Sequence, residues 1–125
     1  MAVGSSSTLV GVSNAIVKIH KELLGRGPTH ARAELAGPDA LMCVLEGALL
    51  PAERALVEMG EHERVRQIRT TLQEGTRERF VSTVERLTGR EVRAFASTID
   101  PQAGIVFEVF AFRPLERVDG ARPDT

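Results

Sequence analysis

The feature that most constrains this chain is an amphipathic segment that runs into an abrupt stop signal. Its apolar side chains recur at steps of three and four residues, at Leu9, Val12, Ile16, Ile19 and Leu23. This spacing predicts a helix with one apolar side. The segment 25–28 follows, in which glycines can adopt the left-handed conformation that closes a helix and a proline forbids its continuation. The helix is therefore expected to end near residue 24, and a new element to begin at Thr29.

Arg26 lies between the two glycines of this stop signal and is the first candidate binding residue. Phosphate groups are bound where a helix begins, because unpaired N–H groups lie at that end. Arg26 instead follows a helix, and the unpaired groups near it are carbonyls. The position favours capping of the helix C-terminus, a contribution of about 0.3–1 kcal/mol, and contact with an anion is the alternative.

The length and composition predict one folded domain. A chain of 125 residues with 42% hydrophobic residues can bury one core but is too short for two domains of ordinary size. We expect the domain to span residues 9–112, with a flexible N-terminus over 1–8 and a flexible tail over 113–125. The 17 acidic and 16 basic residues nearly cancel, so no global field attracts nucleic acid or an anionic membrane.

A hairpin and a short helix are predicted after the first helix. Residues 29–35 alternate between apolar and polar side chains, residues 40–46 are nearly all apolar, and a Gly-Pro-Asp turn lies between them. This pattern is typical of two antiparallel strands. Pro51 suits the first turn of a helix and Gly60 suits its end, although Leu50 is a poor N-cap.

The longest predicted helix precedes a second hairpin. One side of this helix is predicted from residues that recur at steps of three and four, namely Val65, Ile68, Leu72, Thr76, Phe80, Val84 and Leu87. Gly89 ends it, and Gly75 in its middle costs about 1 kcal/mol relative to alanine, which suggests close backbone packing or a kink. Strands are predicted over residues 91–98 and 105–112. The order α-β-β-α-α-β-β predicts an α+β fold with an antiparallel four-stranded sheet from two hairpins and helices packed on one face.

The final predicted strand is apolar on both of its sides. Every residue from 105 to 112 is apolar except Glu108. Such a strand needs cover on both faces, and the predicted helices suffice for one. We therefore predict a homodimer whose interface contains Phe95, Phe110 and Phe112, because exposed aromatic side chains would form a large apolar patch.

The residues that could carry chemistry do not form a recognisable catalytic or metal motif. His20, His30 and Cys43 are widely separated and lack zinc-ligand spacing, and Cys43 is the only cysteine. We expect no metal and no cofactor, and a centre assembled from these three is the alternative. No serine lies in a nucleophile elbow. Glu46 ends an apolar strand beside a glycine, where bonding to nearby backbone is favoured and a general base is the alternative.

Arginines are frequent along the long helix, at Arg64, Arg66, Arg69, Arg77, Arg79 and Arg86. Glutamates are interleaved with them, which predicts a solvated face of mixed charge. The loop of an RNA-binding KH domain leads into a helix, whereas the segment 25–28 leads into a predicted strand. Nucleic-acid binding is therefore not expected, and segregation of these arginines onto one exposed face is the observation that would favour it.

Three segments taken together resemble one protein family. They are H-K-E-L-L-G-R-G-P-T at residues 20–29, V-L-E-G-A-L-L-P-A-E at residues 44–53 and L-T-G-R-E-V at residues 87–92. Over roughly residues 10–112 the chain resembles the MpsC-type domain, formerly a domain of unknown function and labelled for a Na+-translocating membrane-potential-generating system. The family usually has a threonine where this chain has Leu50. The resemblance supplies no catalytic residues.

The resemblance implies an association with a membrane ion or inorganic-carbon uptake system. No apolar run approaches the roughly 20 residues of a membrane span, and no signal-peptide pattern is present. We therefore expect a cytoplasmic, non-catalytic accessory or regulatory domain that binds a small ligand or a protein partner linked to membrane transport. The alternatives are a small-anion-binding protein or enzyme that uses Arg26, His20 and Glu46, and a nucleic-acid-binding domain that uses the arginines of the long helix.

Overall fold

The computed structural model of this chain describes residues 4–115. The remaining residues of the two predicted flexible ends, 1–3 and 116–125, lie outside this range. The elements are α1 (Ser6–Leu24), β1 (His30–Leu35), β2 (Ala40–Glu46), α2 (Pro51–Glu58), α3 (His62–Thr88), β3 (Val92–Asp100) and β4 (Ile105–Phe112). The predicted element order and the α+β class are confirmed.

The first helix begins and ends where the local chemistry favours a boundary. The Ser5 side chain accepts a hydrogen bond from the backbone N–H of Thr8 at 3.2 Å, which satisfies one of the free N–H groups of the first turn. This cap starts α1 at Ser6, earlier than the apolar pattern alone predicts. At the other end Gly25 has a φ of +83°, and its N–H donates to the Lys21 carbonyl at 2.9 Å. The predicted stop after residue 24 is confirmed.

The four strands form one antiparallel sheet in the order β1-β2-β4-β3. Each predicted hairpin is present, and pairing of β2 with β4 joins the two hairpins. One row of the register crosses all four strands through Ala33, Cys43, Glu108 and Ser97. Because side chains alternate between the two faces of a sheet, these four residues share one face.

The helices that contact the sheet cover this face, and packing on one face only was predicted. α1 and α3 pack on the sheet, and α2 packs on α3. Phe80 of α3 stacks on Phe95 of β3 with ring centroids 5.8 Å apart, and Phe95 stacks on Phe110 of β4 at 4.7 Å. Offset aromatic stacking of this kind adds to the free energy gained from apolar burial. The core therefore lies between the two longest helices and the inner face of the sheet.

The three phenylalanines predicted at a dimer interface belong to this core. Phe110 and Phe112 are fully buried and Phe95 is 6% exposed within a single chain. Their placement corrects the interface assignment, because side chains that the chain's own helices cover cannot also contact a second copy. The alternate side chains of β4 lie on the outer face of the sheet, where Val109 is 36% exposed. An apolar pattern on both sides of a strand does not indicate which side the helices cover.

Gly75 does not have the close packing suggested from the sequence. α3 runs from residue 62 to residue 88 as one helix, and a Cβ placed at Gly75 would meet no atom of the described residues within 4 Å. The glycine therefore lies on an open side of the helix, and its conformational cost has no packing contact to offset it.

Candidate functional site

A pocket opens between the C-terminal half of α1, the middle of α3 and the strands β3 and β4. It encloses about 600 Å³ of empty space including its mouth, of which about 80 Å³ can hold the centres of water-sized atoms. That inner space is enough for a small molecule of several non-hydrogen atoms. We call it the Glu108 pocket, because Glu108 lines it together with His20, Leu72, Thr76, Phe80 and Ser97.

A buried histidine and a buried glutamate meet in this pocket. His20 follows Ile16 by one turn on the inner side of α1, and Glu108 lies on the inner side of β4. The His20 Nε2 atom lies 3.1 Å from Oε2 of Glu108, and the side chains are 9% and 2% exposed. A carboxylate can only accept hydrogen bonds, so the ring nitrogen is assigned as the donor. The His20 ring also contacts Phe80, with centroids 5.4 Å apart.

One oxygen of Glu108 lacks a partner. The Oε2 atom accepts from His20 and also from the Ser97 hydroxyl at 3.3 Å. The Oε1 atom is buried and accepts no hydrogen bond from any residue of the part of the chain that the structure describes. A buried polar atom without a partner costs about 1–3 kcal/mol. Glu108, which lines the pocket, therefore has an acceptor atom without a partner.

Cys43 lies beside Glu108 but is unsuited to nucleophilic chemistry. The two residues are direct partners in the β2–β4 register, and the cysteine is fully buried. Burial raises the pKa of the Cys43 thiol far above its ordinary value, and the nearby charge of Glu108 raises that pKa further. A thiol held in its protonated form is a poor nucleophile, so Cys43 acts as a core residue.

A second buried ion pair lies at another wall of the pocket. Arg69 of α3 lines the pocket and donates to both carboxylate oxygens of Glu53, each at 2.7 Å, and to the Ala48 carbonyl at 2.6 Å. Glu53 in turn accepts from the backbone N–H of Leu50 at 2.8 Å. This bond takes over part of the N-terminal capping of α2 that the Leu50 side chain cannot supply. Arg69 therefore links α3 to α2 through this ion pair.

The structure does not bring the three sequence-predicted binding residues into one site. His20 lines the Glu108 pocket, whereas Arg26 and Glu46 do not. Arg26 is exposed beyond α1, and among residues 4–115 its guanidinium makes no hydrogen bond or ion pair. The cap of α1 is formed by backbone instead. Glu46 is also exposed, and its carboxylate lies 3.7 Å from the guanidinium of Arg32.

No cluster of metal ligands is present in the described range. Residues 4–115 contain no group of three or more His, Cys, Asp or Glu side chains that could hold a metal ion. His30 is exposed at the start of β1, whereas His20 and Cys43 are buried on the inner side. His20, His30 and Cys43 therefore do not lie together at one site, as the alternative metal centre would require.

The arginines of α3 do not segregate into a basic face. Arg64 and Arg66 pair with Glu61 and Glu63, and the sequence-predicted mixed charge is observed there. Further along, Arg69 pairs with Glu53, and Arg79 pairs with Glu22 of α1. Arg77 lies over the Phe95 ring and donates to its backbone carbonyl at 2.9 Å. Phosphate contacts require available cationic groups, so this helix offers little for nucleic acid.

Sequence reasoning missed Glu108 and Glu53 as residues of the site. Glu108 is the one charged residue in an otherwise apolar strand, and a charge buried in a core is rare unless it is paired. That interruption was the available signal, but nothing in the sequence identified His20 as its partner. Glu53 had no signal beyond its position near the start of a short helix.

The comparisons with known proteins gave one family. The family model described as "Na+-translocating membrane potential-generating system (MpsC)" matches residues 9–114. No match was found among curated proteins or among solved structures. Within residues 4–115, none of the helices is both long enough and apolar enough to pass through a membrane.

Proposed function

We propose, from the premise that this chain belongs to the MpsC family, that it is a non-catalytic accessory domain that binds a small molecule in the Glu108 pocket. The family description supports an association with a sodium transport system, and we place the domain on the cytoplasmic side as a regulator or partner of such a system. The observation that carries the binding proposal is Glu108, which lines the pocket and whose buried Oε1 atom has no partner among residues 4–115.

The arrangement supports binding better than catalysis. The only cysteine is buried, and its thiol pKa is raised, which removes an activated nucleophile. The Nε and Nη2 groups of Arg69 donate to Glu53 and Ala48, so its charge is already paired with a carboxylate and is less effective at stabilising a developing negative charge. What remains at the pocket is a glutamate with an unpartnered acceptor oxygen, among apolar side chains such as Leu72 and neutral polar ones such as Gln73. A few placed polar groups in a partly apolar pocket are typical of a specific binding site.

A fragment screen by NMR tests the binding proposal. We expect some fragments to shift the backbone amide signals of pocket residues such as His20, Thr76 and Ser97 in the wild-type chain. Leu23 lines the pocket mouth and is 37% exposed, so Leu23→Trp should obstruct binding without disturbing the core. Val10 lies on the same helix, is 57% exposed and is not among the lining residues, so Val10→Trp is the matched control.

Three outcomes of this screen are informative. Shifts that cluster at the pocket, disappear in Leu23→Trp and persist in Val10→Trp would support the proposal. A library in which no fragment shifts the pocket amides would overturn it. If the same shifts are seen in Leu23→Trp, the fragments bind at another surface, and this result would also contradict the proposal.

We further propose that the domain forms a homodimer through the outer face of the sheet. Phe107 and Val109 of β4 lie on that face beside Val44 of β2. Arg32 and Glu34 lie at its β1 edge with opposite charges and large exposure. A twofold axis can place the arginine of one copy against the glutamate of the other, so a second copy of this chain suits both the apolar and the charged part of the face.

Sedimentation equilibrium at micromolar concentration tests the dimer. Val109→Lys should shift the wild-type dimer to monomer, because a charge would be buried in the interface. Ile68→Lys is the matched control, since Ile68 is 45% exposed but lies on α3. A wild-type chain that sediments as a monomer would contradict the proposal, as would equal dissociation by the two variants.

A further inference from the structure

We infer that the Glu108 pocket selects a small organic cation, namely a primary or secondary ammonium ion that carries a short apolar group. This inference rests on the proposed binding function and names the chemical class of its ligand. It follows from the hydrogen-bonding capacity, the charge and the apolar walls of the pocket.

The hydrogen-bonding capacity of the pocket calls for a donor. Glu108 is 2% exposed, its Oε2 atom accepts from His20 and Ser97, and its Oε1 atom accepts from no residue in the range 4–115. A carboxylate oxygen is satisfied by an N–H or O–H group of the ligand. A bond between a carboxylate and a cationic N–H donor is shorter and stronger than a neutral one, so an ammonium group suits this atom best.

The charges around the pocket disfavour an anion. The Nε and Nη2 groups of Arg69 donate to Glu53 and to the Ala48 carbonyl, and the Glu53 carboxylate pairs with the guanidinium charge. Arg66, which lines the mouth, pairs with Glu63 at 2.6 Å. A ligand carboxylate or phosphate placed against Glu108 would meet a like charge in a poorly hydrated site, where repulsion is stronger than in water. A cation placed there would instead gain an opposite charge.

The walls of the pocket fit a short apolar substituent next to that cation. Leu72, Ile99 and Val106 supply aliphatic surface, and Phe80 supplies an aromatic ring. The inner space of about 80 Å³ limits the ligand to a few carbon atoms.

A series of probes with one carbon skeleton tests the charge requirement on the wild-type chain alone. The probes are butylammonium, 1-butanol and butanoate, together with butyltrimethylammonium, which keeps the charge but has no N–H group. We expect butylammonium to bind about tenfold or more tighter than 1-butanol, a difference of ~1.4 kcal/mol. Butyltrimethylammonium should bind more weakly than butylammonium, and butanoate should not bind. Dissociation constants come from NMR titration of the pocket amides.

Two variants connect this selectivity to Glu108. In Glu108→Gln the affinity for butylammonium should fall about tenfold or more, while that for 1-butanol should change little. Glu46→Gln is the matched control, because Glu46 is an exposed carboxylate outside the pocket, and it should leave both affinities unchanged. If Glu108→Gln does not fold, the comparison of the four probes on the wild-type chain still decides the inference.

The outcomes separate this inference from the binding proposal. Equal affinity for butylammonium and 1-butanol would overturn the inference, as would preferential binding of butanoate or an unchanged ammonium affinity in Glu108→Gln. If other fragments shift the pocket amides but no ammonium probe does, the inference fails and the binding proposal stands. If neither fragments nor probes shift them, both fail.

Discussion

The Nε2 atom of His20 and the Oε2 atom of Glu108 lie 3.1 Å apart in the core, although 88 positions separate the two residues in the chain. Their contact joins α1 to the central strand β4. Two polar groups removed from water are expensive to bury, and each depends on the other to offset that cost. Stability is therefore expected to respond differently to the loss of one partner and to the loss of both.

A double-mutant cycle on this pair measures that dependence. His20→Leu leaves the Glu108 carboxylate buried with only the Ser97 hydroxyl as a donor. We therefore expect the free energy of unfolding to fall by about 3 kcal/mol. Glu108→Leu leaves the His20 N–H without its acceptor and should cost about 1–3 kcal/mol. The double variant should be destabilised by less than the sum of the two, as measured by urea unfolding at neutral pH.

Additivity is the result that would contradict this prediction. If the double variant loses as much free energy of unfolding as the two single variants together, His20 and Glu108 are not coupled. The exposed Arg64–Glu61 pair, with side chains 69% and 47% exposed, is the control cycle. Its coupling is expected to stay within about 1 kcal/mol.

The sequence was sufficient to predict local elements because their signals are local. β2 and β4 match the predicted residues 40–46 and 105–112, since turn residues bound two runs of apolar side chains. The end of α1 was likewise encoded by Gly25, whose positive φ is observed. Such features depend on neighbouring residues only, so periodicity and turn chemistry suffice.

The site was not predictable, because it depends on which face of β4 the helices cover. If the helices covered the other face of β4, Phe107 and Val109 would lie inward in place of Glu108 and Phe110. Both faces of this strand are largely apolar, so the pattern does not distinguish them. Only the assembled sheet shows that Glu108 faces inward, and only the packing of α1 brings His20 to it. Long-range juxtapositions of this kind have no signature in the spacing of residues.

The pair of Glu53 and Arg69 is expected to make stability depend on acidic pH. Burial raises the pKa of the Glu53 carboxyl, but the hydrogen bonds from Arg69 and the Leu50 amide and the charge of Arg69 outweigh burial, so the pKa lies below its ordinary value of 4.5. A lowered pKa in the folded state stabilises the fold above the ordinary value. This contribution is lost as pH falls through the lower, folded-state pKa.

Glu53→Gln isolates this contribution. At neutral pH we expect the variant to be less stable than the wild type by about 2–3 kcal/mol, and the difference should shrink as pH falls below 4.5. Unfolding by urea over a series of pH values measures it. Glu63→Gln is the control, because the Glu63–Arg66 pair is exposed and should contribute less than about 1 kcal/mol. A difference that grows toward acidic pH would contradict the assignment.

Cys43 is expected to be inert in the folded chain. Burial and the charge of Glu108 both raise its thiol pKa, and the thiolate is the reactive form. A disulfide exchange reagent at mildly alkaline pH should label the native chain far more slowly than the chain unfolded in guanidinium. Glu108→Gln should leave the native chain unreactive, because burial is the larger cause. Equal rates for the folded and unfolded chain would show that Cys43 is accessible.

Replacement of glycine by alanine is expected to have opposite effects at two positions. At Gly75 a Cβ would meet no described atom within 4 Å, and alanine favours the helix by about 1 kcal/mol. At Gly25 a Cβ also meets open space, but φ is +83°, a conformation that costs an L-residue roughly 1–2 kcal/mol. Gly75→Ala should therefore raise the midpoint of thermal unfolding and Gly25→Ala should lower it.

A Cβ has room at both glycines, so a difference between the two substitutions reports the effect of backbone conformation and not of a steric clash. Arg26→Ala, next to Gly25, is the control for the position itself, and since the Arg26 guanidinium makes no bond within residues 4–115, its unfolding midpoint should stay close to that of the wild type. A destabilised Gly75→Ala would indicate that the open side of α3 is covered in solution.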